Sequence, residues 1–301
     1  MVDNVEMETK EIQKIPWDKS IWFFDIDDTL IDTAGTTLGA SDAIRDTLGK
    51  KIGQDKAKQI QANFNQIFNL MLSGHQASED HNPGEYNRII SRIEACQSRI
   101  KEKYGVIKKW SREVFIKIAA DDAGINLAPE LVRQAADAYW LSLTEKTELF
   151  PGVENLMELI QKHKRPIYLI TSSDARLKMD ENGQFDYDPP YSEALKRQRI
   201  EHLKKKGIQF NGLSIGDPED KPHLDFFKKG IKVAESNLGQ QVDFTNAIMV
   251  GDSFAGDLQV PKEEFGFGLI VLFNKNVSST QTKGENQVNT GDVFNVRKYL
   301  T

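Results

Sequence analysis

The sequence has few of the features that mark extracellular or membrane-bound proteins. Its 301 residues include one cysteine, Cys96, which excludes an internal disulfide and a cysteine-rich zinc site. We therefore expect a reducing compartment, the cytoplasm. The longest uncharged apolar run, 266–273, is far shorter than the roughly 18 residues that span a bilayer. The first twenty residues mix acids and bases and do not resemble a secretion signal, so we expect no membrane partner.

Positive charge is also scarce. The chain has 39 Lys and Arg against 45 Asp and Glu, which gives a formal net charge of −6. Such a chain lacks the basic surface by which proteins bind nucleic acids, so no nucleic acid is expected as a partner. With 39% hydrophobic and 28% charged residues, the composition is that of a globular protein with a sizeable core. The length indicates two domains or one large one.

Short apolar runs predict strands that are buried on both faces. These runs are 21–24, 166–170, 213–215, 247–250 and 269–273. Helical patterns separate the later runs, so strands and helices alternate along this part of the chain. The sequence therefore predicts the α/β class, with a Rossmann-like parallel sheet at its core.

The stretch 33–149 differs, because it contains amphipathic helical patterns and no convincing strand. We predict an all-helical domain over 33–149, inserted into a core formed by 1–32 and 150–301. Glycine and proline at 34–39 and 150–152 indicate hinges at the two junctions.

Three polar stretches, 73–88, 174–190 and 274–292, are interpreted as exposed loops. The first contains His75, His81 and Arg88, which could contact a substrate but are more simply explained as part of a connector. The second contains Asp180, Asp186 and Asp188 and could overhang a site at the end of the preceding strand, although a solvated surface loop is the simpler explanation.

Chemically capable side chains follow the predicted strands, and ligands of open parallel sheets bind beyond the carboxyl ends of the strands. Asp25 and Asp27, in DIDDT, place two carboxylates after the first strand, which implies a metal ion or a shifted pKa. Thr171 follows the second strand and could donate to a phosphate oxygen. Pro222 and a following helix fix the backbone of Lys221. Asp252, in GDSFAGD, and Asp25 are the oxygen ligands that Mg²⁺ prefers.

Taken together and in this order, the motifs DIDDT, LITS, KP and GDSFAGD resemble those of the haloacid dehalogenase superfamily of aspartate-nucleophile hydrolases. The resemblance covers about 21–273. The helical insertion after the first motif resembles the first type of cap domain in that superfamily. The resemblance implies a Mg²⁺-dependent enzyme with a Rossmann-like core and a helical cap.

The resemblance also implies roles for individual residues. Asp25 would be the nucleophile that becomes an aspartyl phosphate. Asp27 would be the general acid that protonates the leaving oxygen, and then the base that activates water. Thr171 and Lys221 would hold the phosphoryl oxygens. Ser172, which stands where many relatives carry Asn, is a further candidate for substrate contact.

The implied metal ligands come from the first and last motifs. Asp252 would bind Mg²⁺ together with Asp25 and the main-chain carbonyl of Asp27. Asp257 would be a further acid near the metal or near Lys221.

Asp27 indicates phosphate chemistry, because dehalogenases of this superfamily do not need an acid two residues after the nucleophile. We expect a phosphoric monoester hydrolase that acts on a small phosphorylated metabolite. The alternatives are a phosphomutase, which shares every catalytic residue, and a catalytically silent binding protein with this fold. The sequence does not indicate which metabolite is the substrate or what the oligomeric state is.

Overall fold

The computed structural model describes residues 12–75, 82–217 and 219–301, and it divides into two compact units. Unit 1 takes the described residues within 1–31, 149–172 and 207–301. Unit 2 takes those within 32–148 and 173–206. The predicted boundaries left 173–206 in the core, whereas the structure groups this segment with the helical unit.

Strands and helices alternate as expected for an α/β protein. The described strands are β1 (Ile21–Phe24), β2 (Ile167–Ser172), β3 (Leu177–Met179), β4 (Phe185–Tyr187), β5 (Gly212–Gly216), β6 (Ala247–Gly251), β7 (Leu269–Phe273), β8 (Gln281–Lys283) and β9 (Gln287–Thr290). The described helices are α1 (Thr33–Ile52), α2 (Gln54–His75), α3 (Pro83–Cys96), α4 (Ser98–Tyr104), α5 (Arg112–Asp122), α6 (Pro129–Lys146), α7 (Val153–Lys162), α8 (Pro189–Lys205), α9 (Leu224–Leu238) and α10 (Gln259–Glu263). None of these helices combines the length and apolarity needed to cross a membrane.

Unit 1 contains a seven-stranded sheet in the order β5-β2-β1-β6-β7-β9-β8. All neighbouring strands in it are parallel except β8 and β9. The interior strand β1 is buried throughout, which explains its continuous apolar sequence. Its last residue, Phe24, pairs with Leu169 of β2 and with Val250 of β6, so the carboxyl ends of the three strands lie side by side. The predicted Rossmann-like α/β core is confirmed.

Unit 2 has its own hydrophobic core, formed mainly by α1 to α6. The β3–β4 pair also contributes to this core, because Leu177 and Phe185 are buried in it. The interpretation of 174–190 as an exposed loop is therefore wrong. Strands of three residues are too short to reveal an alternating pattern in the sequence, although their apolar side chains pack inward.

Buried charges attach the segment 173–206 to the rest of unit 2. Arg176 donates from Nε to Oε1 of Glu113 at 2.6 Å, and its guanidinium also contacts Asp137. In α8, Arg199 pairs with Asp174 inside the segment, and its second amino group donates to the hydroxyl of Thr33 in α1 at 3.2 Å. The contacts of Arg176 and Arg199 with residues of 32–148 are the physical reason that the segment belongs to unit 2.

Two further expectations about loops need correction. The proposed hinge at 34–39 lies inside α1, because Asp32 caps this helix by accepting from the Gly35 amide at 2.9 Å. The stretch 274–292 contains β8 and β9, and β9 extends the main sheet beside β7.

The described residues include part of the polar stretch 73–88. His81 lies outside the described residues, and α2 ends at His75. Arg88 lies in α3 and donates to Glu85 one turn away at 2.9 Å, so it forms a local ion pair on an exposed helix face.

Candidate active site

The carboxyl ends of β1 and β6 bring Asp25 and Asp252 together. Each residue directly follows its strand, and the two strands are parallel neighbours. The Asp25 amide continues the ladder by donating to the Val250 carbonyl at 3.0 Å. The two motifs of the sequence therefore meet at one edge of the sheet, as predicted.

Asp257 completes a group of three acids with Asp25 and Asp252. One carboxylate oxygen from each residue lies within 4.8 Å of the others. Asp25 and Asp257 are buried, and Asp252 is partly buried. Clustered carboxylate oxygens are the donor set that hard divalent cations such as Mg²⁺ select. The residues present therefore fit the metal that the sequence motifs imply.

Lys221 lies against two of these acids. Its ammonium donates to Oδ1 of Asp25 at 2.5 Å and to Oδ1 of Asp257 at 2.7 Å. The lysine side chain is only 7% exposed. Asp220 fixes the lysine backbone by accepting from the Lys221 amide at 2.8 Å. One buried cation is thus shared by two buried carboxylates.

Positive charge is scarce at this site, and the pKa values of Asp25 and Asp252 reflect the shortage. Burial raises the pKa of Asp25 to about 7, with Lys221 opposing the rise and Asp257 and Asp27 adding to it. Burial likewise raises the pKa of Asp252, and the charges of Asp257 and Asp25 raise it further. Burial alone would lower the pKa of Lys221, but the adjacent carboxylates outweigh it and raise the pKa. A divalent cation would supply the positive charge that the acids lack.

A close approach at Gly251 allows Asp257 to reach the cluster. Asp257 lies in a π-helical turn, Phe254–Leu258, and its Oδ2 accepts from the Ser253 amide at 3.0 Å. A Cβ atom on Gly251 would lie 2.5 Å from the Cβ atom of Asp257, closer than non-bonded carbons can approach. Glycine is therefore required here by space.

Thr29 is a site residue that the sequence reasoning did not single out. Its hydroxyl oxygen lies 3.3 Å from Oδ2 of Asp25 and 3.4 Å from Oδ1 of Asp252. A single O–H can donate to either carboxylate and so holds the two acids in place. Its position as the last residue of DIDDT was the signal available in the sequence.

Asp27, Thr171 and Ser172 lie at the same edge of the sheet but outside the acid–lysine cluster. Asp27 is partly exposed, and its carboxylate is not one of the three clustered acids. Thr171 is fully buried near the end of β2, and its hydroxyl donates to the Ser172 carbonyl at 3.4 Å. Ser172 is partly exposed and pairs with Gly216 of β5. The structure thus brings Asp25, Lys221, Asp252 and Asp257 into one cluster, whereas Asp27, Thr171 and Ser172 lie at the same edge of the sheet outside it.

Comparison with known families agrees with this geometry. The model of the haloacid dehalogenase-like hydrolases matches residues 21–263. The chain therefore belongs to this family of hydrolases. No curated protein matches the sequence.

Solved structures with the same fold include enzymes of different chemistry. A 2-haloacid dehalogenase from Pseudomonas syringae pv. Tomato is 18% identical with a TM-score of 0.53, over 93% of this chain and 97% of that one. A protein assigned as a β-phosphoglucomutase from Thermotoga maritima is 17% identical with a TM-score of 0.51, over 93% and 98% of the two chains. At these identities the likeness establishes the fold and leaves the reaction to be argued from the site.

Proposed function

We propose that this protein is a Mg²⁺-dependent phosphatase that hydrolyses a small phosphorylated metabolite through an aspartyl-phosphate intermediate. The observation that carries the proposal is the placement of Asp27. A second, partly exposed carboxyl group stands two residues after the buried Asp25, at the open edge of the sheet. Cleavage of a phosphate ester requires an acid for the leaving oxygen, and Asp27 is suited to that task.

Asp25 is the nucleophile in this proposal. It attacks phosphorus while the P–O bond to the leaving group breaks, and the product is an aspartyl phosphate. Lys221 and Thr29 contact opposite oxygens of the Asp25 carboxylate, which fixes its orientation for attack. A Mg²⁺ ion held by Asp25, Asp252, Asp257 and the main-chain carbonyl of Asp27 would offset the negative charge of the phosphate.

Asp27 moves the protons. It gives its proton to the departing alkoxide, so that the product leaves as a neutral alcohol. It then accepts a proton from water as that water attacks phosphorus. The Asp25–phosphate bond breaks, and inorganic phosphate and the free Asp25 carboxylate are restored.

Lys221, Thr171 and Ser172 are assigned to the phosphoryl oxygens. The Lys221 ammonium supplies positive charge at the bottom of the site. The Thr171 hydroxyl donates to the Ser172 carbonyl at 3.4 Å, which is a weak hydrogen bond. A phosphate oxygen can replace this carbonyl as the acceptor. The proposed partner is thus a small-molecule phosphate ester, and the proposed location is the cytoplasm, where the lone Cys96 stays reduced.

A panel of phosphorylated metabolites, assayed for phosphate release with Mg²⁺, tests the proposal. The wild-type protein should release phosphate from at least one member, and Asp25→Asn should abolish the release. Asp225→Asn is the matched control, because it makes the same chemical change on a side chain of unit 1 that is 76% exposed. This control should keep wild-type activity.

Other outcomes would select other functions. Isomerisation of a sugar phosphate without phosphate release would identify a phosphomutase. Release of halide from 2-haloacids, with no phosphate released, would identify a dehalogenase. Equal activity of wild type and Asp25→Asn would remove Asp25 as the nucleophile. No turnover and no Mg²⁺ binding would leave a silent binding protein.

A further inference from the structure

Unit 2 contains a buried arginine that is surrounded by aromatic rings. Arg112, the first residue of α5, is 5% exposed. Its guanidinium carbon lies 4.9 Å from the centroid of Trp140 and 5.3 Å from that of Tyr139. Phe68, Phe115 and Trp110 are also within 6.0 Å. The catalytic proposal makes no use of this cluster.

Arg112 has no counter-ion in the part of the chain that the structure describes. No carboxylate there forms an ion pair with it, and its buried Nε has no hydrogen-bond partner. The other buried arginines of unit 2 behave differently, because Arg176 pairs with Glu113 and Arg199 pairs with Asp174. A buried charge is normally paired and hydrogen-bonded, since leaving water costs it far more than a neutral group.

Trp140 adds a second unsatisfied donor at the same place. Its indole Nε1 is buried and has no hydrogen-bond acceptor. The same ring also faces a second guanidinium, because the guanidinium carbon of Arg199 lies 5.5 Å from the Trp140 centroid. Aromatic faces attract a cation, but they supply no oxygen to accept these N–H groups.

The cluster therefore combines excess positive charge with two unused N–H donors. The chemical complement of such a cluster is a group with negative charge and several acceptor oxygens. Arginine binds carboxylates and phosphates with strong, charge-assisted hydrogen bonds, and an indole N–H donates readily to the same oxygens. Aromatic walls also suit the carbon skeleton of a small organic anion.

We propose that unit 2 contains an oxyanion-binding site in which Arg112 and Trp140 are the donors. Its ligand is a carboxylate or phosphate group of a small molecule. This site is made entirely from residues of unit 2 and does not depend on the proposed phosphatase activity.

NMR of the tryptophan indoles tests the site directly. The protein has four tryptophans, so its ¹H–¹⁵N spectrum contains four indole signals, and Trp140→Phe identifies the one from Trp140. The protein would be titrated in EDTA with citrate and, separately, with inorganic phosphate, against chloride at matched ionic strength. The Trp140 signal should shift and saturate with at least one oxyanion and stay unchanged with chloride. A response to citrate would indicate a carboxylate ligand, and a response to phosphate would indicate a phosphate ligand. The signals of Trp17 and Trp22, in unit 1, are internal controls.

Arg112→Met supplies the matched variant, because it keeps the length of the side chain and removes the charge. Replacing an unpaired buried charge by an apolar side chain is expected to leave the protein folded. The affinity for the oxyanion should fall about tenfold or more, since charge-assisted hydrogen bonds are lost. Arg112→Lys should recover part of the affinity.

Two results would overturn the proposal. The first is a Trp140 signal that does not respond to either anion in the wild-type protein. The second is a response of equal affinity in Arg112→Met. In either case the aromatic rings would be a packing environment for Arg112 and nothing more.

Discussion

At the residue scale, Gly251 is the position at which the site tolerates no side chain. Gly251→Ala would force its new Cβ atom against Asp257, so we expect a loss of about 1–3 kcal/mol in the free energy of unfolding, together with loss of activity. Gly39→Ala is the control, because a Cβ atom there has nothing within 4 Å and alanine favours α1. Urea unfolding measures both variants. A Gly251→Ala protein as stable as the wild type would contradict the tight contact.

Asp27 can be tested through the leaving group of the substrate. Asp27→Asn should reduce hydrolysis of an alkyl phosphate about 10²–10⁴-fold, because the alkoxide must be protonated as it leaves. The first turnover of p-nitrophenyl phosphate should be affected less, since p-nitrophenolate leaves without a proton. Rapid-mixing kinetics measure both.

The neighbouring Asp28→Asn is the matched control for that experiment. Asp28 has a positive φ of 58°, a conformation that asparagine also adopts readily. The Asp28→Asn variant should lose much less activity on the alkyl phosphate than the Asp27→Asn variant. Equal losses for both substrates in Asp27→Asn would argue against a general acid.

The residue scale also explains why the site was only partly predictable. Asp25 and Asp252 could be found because each follows a continuous apolar run, and such runs identify buried strands. Thr29 and Gly251 owe their importance to contacts between β1 and β6 and the turn that follows β6. Those contacts exist only once the strands are paired, and one sequence does not reveal them.

At the scale of elements, the buried ion pair between Arg176 and Glu113 joins the residue before β3 to α5. Glu113 is 1% exposed, so Glu113→Gln would leave Arg176 with only one carboxylate partner in an apolar environment. We expect a loss of about 2–4 kcal/mol in the free energy of unfolding. Thermal and urea unfolding measure this effect.

Glu130→Gln is the control for this prediction. Glu130 also pairs with an arginine, Arg133, but its side chain is 57% exposed, so the same substitution should cost at most about 1 kcal/mol. Similar losses for the two variants would mean that the buried pair has no special role in holding the strands.

Elements of three or four residues limited the prediction of the fold. The long amphipathic helices were recognisable because they provide the window of several residues that periodicity needs. The buried strands were recognisable by their continuous apolar runs. β3, β4, β8 and β9 were interpreted as loops, since each is too short to show a pattern. The start of α1 was hidden by its glycines and threonines, which favour turns until Asp32 caps the helix.

At the scale of the whole molecule, stability should depend on pH in a way that a metal ion alters. The folded protein holds protons on Asp25 up to about pH 7, whereas the unfolded chain loses them near 3.8. The pKa of Asp252 is raised in the same direction. In EDTA the melting temperature should therefore fall as the pH rises from about 4 to about 7, because the folded state binds more protons over that range.

Magnesium should reduce this fall, since a bound cation replaces the protons. Asp252→Asn removes one of the two titrating acids, so its decline in EDTA should be smaller than that of the wild type. Melting curves at several pH values, with EDTA or with Mg²⁺, provide the comparison. A decline that is the same with and without Mg²⁺ would argue against metal binding by these acids.

The division of the chain was also predicted incompletely. The insertion 33–149 was visible because it lacks strands. The membership of 173–206 follows from side-chain pairs, such as Arg176 with Glu113, that join this segment to residues of 32–148. No local pattern carries that information.

Unit 2 is built from two separate stretches of the chain, and this has a consequence for genetic recombination. Genes often exchange a domain as one continuous insert, and 33–149 looks like such a cassette in the sequence. A transfer of 33–149 alone would not include Arg176. Glu113 would then be buried in the recipient protein without its ion-pair partner. A functional exchange of this unit requires two simultaneous grafts, 32–148 and 173–206, on either side of β2. The unit is therefore expected to be inherited together with its core rather than traded between relatives.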